Sequence, residues 1–328
     1  MRILRFLLVL GILVVPPPAG AQQAGKVAKI GFLIFPSVRP GWAEPLLPTE
    51  LVRRAVRELG YFEDQNVTWN ARSSSSRDFL PQLAADLVQL KAEVIVASGA
   101  EAIQAAKDST KTIPIVMLSF ADPIAMRFVT SLARPGGNVT GVSLMTADLG
   151  EKRLALLKEA LPRPSRVAVL WNPTDATATY EWTRLHASAH TLGLTLVSLE
   201  CRTPQDVEAA FATARKSRLG ALVVAMDPLT YAQGSQIVSL AAKNRLPAMY
   251  GSRTFVERGG LMAYQPSNKE AARRVAVFVD KILKGAKPGD LPVEQPSEFE
   301  LVVNMKTAQA LGLKIPPSVL VLAEQIFR

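Results

Sequence analysis

Cysteine is almost absent from this 328-residue chain: Cys201 is the only one. A single cysteine excludes any internal disulfide. It closes the apolar stretch Leu194–Cys201, which reads as a place for a buried structural thiol rather than a reactive one. Histidine is nearly as scarce, at two. His186 and His190 lie four apart on one predicted helix, a spacing that can hold a metal. No other histidine completes a set, so the pair reads as a solvated helix face, and no metal or cofactor is expected. Aromatics make up only 6% of the chain, as suits an α/β protein built on Ala, Val and Leu. Also missing are G-x-G-x-x-G, G-x-x-x-x-G-K-[ST] and G-x-S-x-G, the signatures of dinucleotide sites, phosphate-binding loops and nucleophile elbows. The net charge is +10, yet no long block of Lys and Arg occurs. Acids and bases interleave, so nucleic acid is not an expected partner.

Long apolar runs are lacking too, except at the N-terminus. Arg2 and Arg5 give a positive start, Phe6 to Val15 is uninterruptedly apolar, and Pro16-Pro17-Pro18 precedes Ala19-Gly20-Ala21. That is the layout of a secretory signal peptide over residues 1–21, cut before Gln22. The run is about half of what a bilayer span needs. No cysteine stands near the cut for lipid attachment. The sequence therefore predicts a freely exported protein, at home in a periplasm.

What is present is organised around Ala92–Pro123. Glu93 to Ala97 is a short β-branched run, Ser98-Gly99 breaks it, and Glu101 to Lys107 carries helix formers. Ile113 to Leu118 is a second apolar strand, ending at Ala121-Asp122-Pro123. Strand, tight turn, helix and strand form the unit that builds parallel sheets. The layout returns at Ala221–Tyr250, with Asp227-Pro228 after its first strand and a helix expected over Thr230–Asn244. Two similar α/β lobes follow. In the first, Lys29–Phe35, Asn66–Ala71 and Val139–Leu144 supply further strands, the alternating Asn66–Ala71 in a more exposed position. Helices are expected over Pro45–Leu59, Phe79–Leu90 and Pro123–Leu132. The second lobe opens with Arg166–Trp171 and continues through Leu194–Cys201 and Leu261–Tyr264. A long helix is expected over Asn268–Leu283 and a last strand over Phe299–Val303.

The predicted parallel strands end in turn residues: Pro36-Ser37, Ser98-Gly99, Asp122-Pro123, Asn172-Pro173-Thr174 and Asp227-Pro228. Open α/β sheets bind ligands outside the carboxyl ends of their strands. Helix N-termini there offer free N–H groups suited to a carboxylate. Any one of these Ser, Asn or Asp residues is explained by N-capping; their repetition across both lobes points to a cleft that closes by hinging.

Five runs carry a family likeness: Ser131–Ser143 (SLARPGGNVTGVS), Arg166–Pro173 (RVAVLWNP), Lys281–Pro288 (KILKGAKP), Leu291–Pro296 (LPVEQP) and Phe299–Asn304 (FELVVN). With them the whole mature chain resembles the ABC-transporter substrate-binding protein family that includes tryptophan- and tyrosine-binding members. The resemblance implies a type I periplasmic-binding-protein fold, with two Rossmann-like lobes, three crossovers and a ligand between the lobes. The implied lobes are 22–144 plus 256–297 and 145–255 plus 298–328. Implied ligand-binding residues are Ser37, Ser98, Gly99, Ala100, Asp122, Ser143, Asn172, Thr174, Asp227, Tyr250 and Tyr264. Ser98 to Ala100 would take a carboxylate, Asp122 or Asp227 an amine, and Tyr250 and Tyr264 an apolar body. Many relatives have Thr-Pro where this chain has Ala100-Glu101, so a hydroxyl donor is missing. The implied role is that of an exported binder of an amino acid or related organic acid, monomeric, non-enzymatic and serving the transmembrane subunits of an ABC permease. A sensor feeding a membrane receptor shares the same site. A hydrolase or isomerase would need a nucleophile–base arrangement that the sequence does not show.

Overall fold

Parallel strands covered on both faces need apolar side chains at every position, and the middle strands of this chain have them. The computed structural model describes residues 27–35, 49–74, 76–161 and 164–328. The signal-peptide reading and Ser37 lie outside the described residues. The first lobe runs β1 (Ala28–Ile34), α1 (Thr49–Glu58), β2 (Val67–Ser73), α2 (Leu80–Gln89), β3 (Val94–Ser98), α3 (Ala100–Ser109), β4 (Ile115–Ser119) and β5 (Val139–Ser143). These strands form an all-parallel sheet in the order β2-β1-β3-β4-β5. Every residue of β3 and β4 is buried. The edge strand β2 is half-exposed along its length, as its alternating sequence predicts.

The second lobe runs α4 (Gly150–Ala160), β6 (Arg166–Trp171), α5 (Ala176–Ala189), β7 (Thr195–Glu200), α6 (Asp206–Lys216), β8 (Ala221–Val224), α7 (Pro228–Ala232), α8 (Gly234–Lys243), β9 (Ala248–Tyr250), α9 (Arg253–Glu257) and β10 (Met262–Pro266). After α10 (Asn268–Leu283), it is completed by β11 (Phe299–Asn304), α11 (Met305–Leu311), α12 (Pro317–Val321) and β12 (Ala323–Phe327). Its seven strands lie in the order β12-β11-β10-β9-β8-β6-β7. Among the described residues only the β10–β11 pair of this sheet is antiparallel.

The period of two in each strand splits each lobe's core into two layers. In the first lobe, Ile30, Phe32, Val94 and Val96 face α1 and α10, while Leu33, Ile95 and Ala97 face α2 and α3. Helix α10 buries Ala271, Ala272, Val275, Ala276, Val279 and Ile282, a stripe at helical spacing. It therefore belongs to the first lobe, although the strands on either side of it lie in the second. The chain thus passes between lobes after β5, after β10 and before β11.

Several expectations change. The second crossing falls at Pro266–Ser267, not at 255/256, because α9 and β10 stay with the second sheet. Pro123–Leu132 is a chain of turns, not a helix. Asp122 caps the N–H groups of Ile124 and Ala125, and Arg127 at φ 56° ends the turn at once. Thr230–Asn244 is two helices with a break at Gln233. The strand β12 closes the second sheet beyond the last strand that the sequence predicts. Of the helix expected over Pro45–Leu59, the described part is Thr49–Glu58.

Candidate functional site

The carboxyl ends of β1, β3, β4 and β8 and the loop after β6 converge between the lobes. Phe35, Gly99, Ala100, Glu101, Phe120 and Ala121 line one side of a cavity of about 70 Å³; Asp175, Thr177, Met226, Asp227, Pro228 and Tyr231 line the other. A second cavity of about 180 Å³ shares Phe120, Ala121 and Thr177 with it and reaches Asp122, Met126, Met145, Asp148 and Tyr180.

On the first lobe the floor is set by one close backbone approach. The Phe35 N–H donates to the Ser98 carbonyl at 2.9 Å. Gly99 follows at φ 93°, and a Cβ there would lie 2.0 Å from the Phe35 carbonyl oxygen. Only glycine fits both the backbone angle and the gap. Gly99 is the N-cap of α3, and no side chain among the described residues caps that helix. Its first N–H groups and the positive end of its dipole therefore face the cavity wall made by Ala100 and Glu101.

On the second lobe two aspartates cap helices beside the same cavity. Asp227 Oδ1 accepts from the N–H groups of Leu229 at 2.8 Å and Thr230 at 2.9 Å, while Thr230 Oγ1 accepts from the Asp227 N–H at 3.1 Å. This is a complete capping box. Its Oδ2 has no partner among the described residues, although Asp227 is only 5% exposed. Burial pushes the Asp227 carboxyl up to about 7; the capping N–H groups oppose the rise and the charge of Asp175 adds to it. Asp175 accepts from the Ala178 N–H at 2.8 Å. Burial raises its pKa as well, against the N–H groups of Ala178 and Thr177 and the positive charge of Arg77 on the other lobe. Arg77 itself pairs with Glu101 at 2.7 Å.

Of the site residues expected from sequence, Gly99, Ala100 and Asp227 line the first cavity and Asp122 the second. The other described ones lie elsewhere. Ser98 and Ser143 are buried at strand ends outside both linings, Ser143 Oγ donating to the Ala121 carbonyl. Asn172 Oδ1 accepts from the N–H and Oγ1 of Thr174, so the two stabilise their own turn. Tyr250 is 1% exposed and stacks on Phe255 at 4.8 Å inside the second core, which removes it from any ligand. Tyr264 stacks on Phe299 at 5.9 Å, away from the cavities. Their places on the apolar wall are taken by Phe35, Phe120, Met226 and Tyr231, which follow strand ends or sit in the first helical turn. Asp175 carried a readable signal, since an Asp three residues past Asn172 opens a helix. Phe120 and Met226, each just past a strand end, follow the same rule of position. Cys201 is buried, with its thiol pushed up to about 12, so it is inert at neutral pH. His186 and His190 are exposed, and the described residues contain no metal-binding cluster.

The geometry can be set beside known proteins. The chain is 26% identical over 263 residues to a tyrosine-binding protein of Clostridioides difficile, covering 80% of this chain and 75% of that one. A Streptococcus pneumonia ABC domain in complex with L-Trp superposes with a TM-score of 0.80 at 27% identity, covering 92% of this chain and all of the other. A conserved domain protein of Vibrio cholerae gives the same score and coverage at 26% identity. The two-lobe architecture is that of type I periplasmic binding proteins. Residues 49–327 match the family described as ABC transporter substrate binding protein, more than half of the chain, and the protein belongs to that family.

Proposed function

We propose that this protein is the exported substrate-binding component of an ABC import system and that its cleft holds an α-amino acid between closed lobes. One observation carries the reading: an uncapped helix N-terminus and a buried, half-satisfied carboxylate line one small cavity from opposite lobes. The α-carboxylate accepts from the first N–H groups of α3. The α-ammonium donates to Asp227 Oδ2, with Asp175 beside it. The smaller cavity takes this end of the ligand and the adjoining cavity takes the side chain. Relatives that bind tyrosine or carry L-Trp support the same ligand class.

Binding in this reading is physical, without covalent chemistry. A ligand whose two ends touch different lobes favours the closed arrangement by its differential affinity for it. The crossings are tied together at Glu270, which accepts from the N–H groups of Ser297 at 3.0 Å and Glu298 at 2.7 Å and pairs with Arg274. The closed form then docks on the permease, and the basic, apolar start of the chain directs export to the periplasm. Thermal unfolding of the ligand-stripped protein against the twenty amino acids tests the proposal. A true ligand at 100 times its Kd adds about 2.7 kcal/mol, a shift of several degrees. A flat response to all twenty would refute the amino-acid reading.

A further inference from the structure

We infer that the ligand carries a net positive charge: a basic amino acid whose side-chain cation sits in the second cavity. The inference rests on the amino-acid reading of the first cavity and extends it to the side chain. Its starting point is a contrast of charge. The chain as a whole is basic, at +10. Yet the described residues lining the two joined cavities include five carboxylates, Glu101, Asp122, Asp148, Asp175 and Asp227, and no Lys, Arg or His. Arg77 neutralises Glu101 from outside the lining. Four acids remain, of which an α-ammonium answers at most two.

Their arrangement matches a long cationic side chain. Asp227 is the buried end, with an unpartnered oxygen in a residue that is 5% exposed. A cation brought from outside compensates an acid buried in that state, which otherwise holds a proton. Beyond it the walls are apolar: Phe120, Met126, Met145 and Ala147 line the passage. At its far end the Tyr180 hydroxyl donates to Asp148 Oδ1 at 3.0 Å, and the charges of Asp148 and Asp122 both act on that phenol. Arg184 also faces Tyr180, but it is paired with Glu151 at 2.8 Å. An aliphatic stem fits the walls, while an ammonium or guanidinium fits the two acids and the aromatic face at the mouth. A neutral aromatic side chain fills the same space but brings no charge to the exposed Asp122 and the half-buried Asp148.

Calorimetric titration of the full mature chain with L-lysine, L-arginine, L-norleucine, L-tyrosine, L-tryptophan and 1,5-diaminopentane tests this. We expect lysine or arginine to bind at least tenfold tighter than norleucine, which has an uncharged side chain of similar length. In Asp148→Asn, where the amide oxygen can still accept from Tyr180, that ratio should fall several-fold. Raising NaCl should weaken the basic ligands selectively. Tyrosine, tryptophan or norleucine binding as tightly as lysine and arginine would overturn the cationic inference and leave the amino-acid reading standing. Binding of the diamine alone would refute the amino-acid reading and keep the cationic pocket. Failure of all six would overturn the cationic inference and pass the amino-acid reading to the twenty-amino-acid panel.

Discussion

Asp227→Asn should make the ligand-free protein more stable, by a margin that grows with pH. The asparagine keeps the oxygen that caps Leu229 and Thr230, and Asn and Asp are equivalent as N-caps. What it removes is the buried charge. The carboxyl rises from 3.8 to about 7 in the folded state. A group raised in this way contributes stability below its unfolded pKa and loses it as pH climbs through the folded value. At 1.36 kcal/mol per pH unit, the loss between pH 4 and pH 8 is about 4 kcal/mol. The variant does not suffer it. Urea unfolding of both proteins at pH 4, 5, 6, 7 and 8 would show two curves diverging toward alkaline pH. On heating, the gap at pH 8 should reach several degrees. The same variant should bind an amino acid roughly 10- to 100-fold more weakly, since a hydrogen bond to a charged group contributes about 1.5–3 kcal/mol. Parallel stability curves, or a variant less stable at pH 8, would refute the claim that Asp227 is a strained acid kept for a cation.

Three further substitutions probe the frame of the site. Gly99→Ala should destabilise by roughly 2–5 kcal/mol, because it combines a positive φ with overlap on the Phe35 carbonyl; an unchanged urea midpoint would contradict the close approach. Glu270→Gln should lose about 2–3 kcal/mol at pH 7 by weakening the clasp on Ser297 and Glu298. Although burial opposes the charge, those N–H groups and Arg274 hold the Glu270 carboxyl down to about 2. The deficit should therefore close as pH falls from about 4.5 toward 2, and a deficit independent of pH would count against the clasp. Arg153→Met should lose about 3–5 kcal/mol by stranding Glu181, its fully buried partner at 2.9 Å. Adding Glu181→Leu should recover most of that; if the double variant is as unstable as the single one, the pair does more than balance charge.

The parallel sheets were legible because continuous apolar runs such as Val94–Ala97 and Ile115–Leu118 admit few other readings. The turn residues after them marked the cleft, and Gly99 and Asp227 are among its lining. Local pattern does not tell which sheet the strand β10 joins, so the crossing implied at 255/256 falls later, after β10. The fate of Pro123–Leu132 hung on one capping aspartate and one left-handed residue, Arg127, which composition does not display. Tyr250 and Tyr264 stand near the crossing in sequence, but strand alternation turns Tyr250 into the core against Phe255 and sets Tyr264 against Phe299. Asp175 is readable as the N-cap of α5, but its nearness to Arg77 of the other lobe and to Asp227 comes only from the fold.

In the proposed binding mode one cavity grips both ends of an α-amino acid, the carboxylate at α3 and the ammonium at Asp227. Isothermal titration with the tightest amino acid of the panel, its N-acetyl form and its carboxamide tests this most directly. The account predicts that each masked form binds at least tenfold more weakly than the free amino acid, and that Asp227→Asn abolishes the distinction for the N-acetyl form alone. An N-acetyl or carboxamide form that binds as tightly as the free amino acid would contradict it.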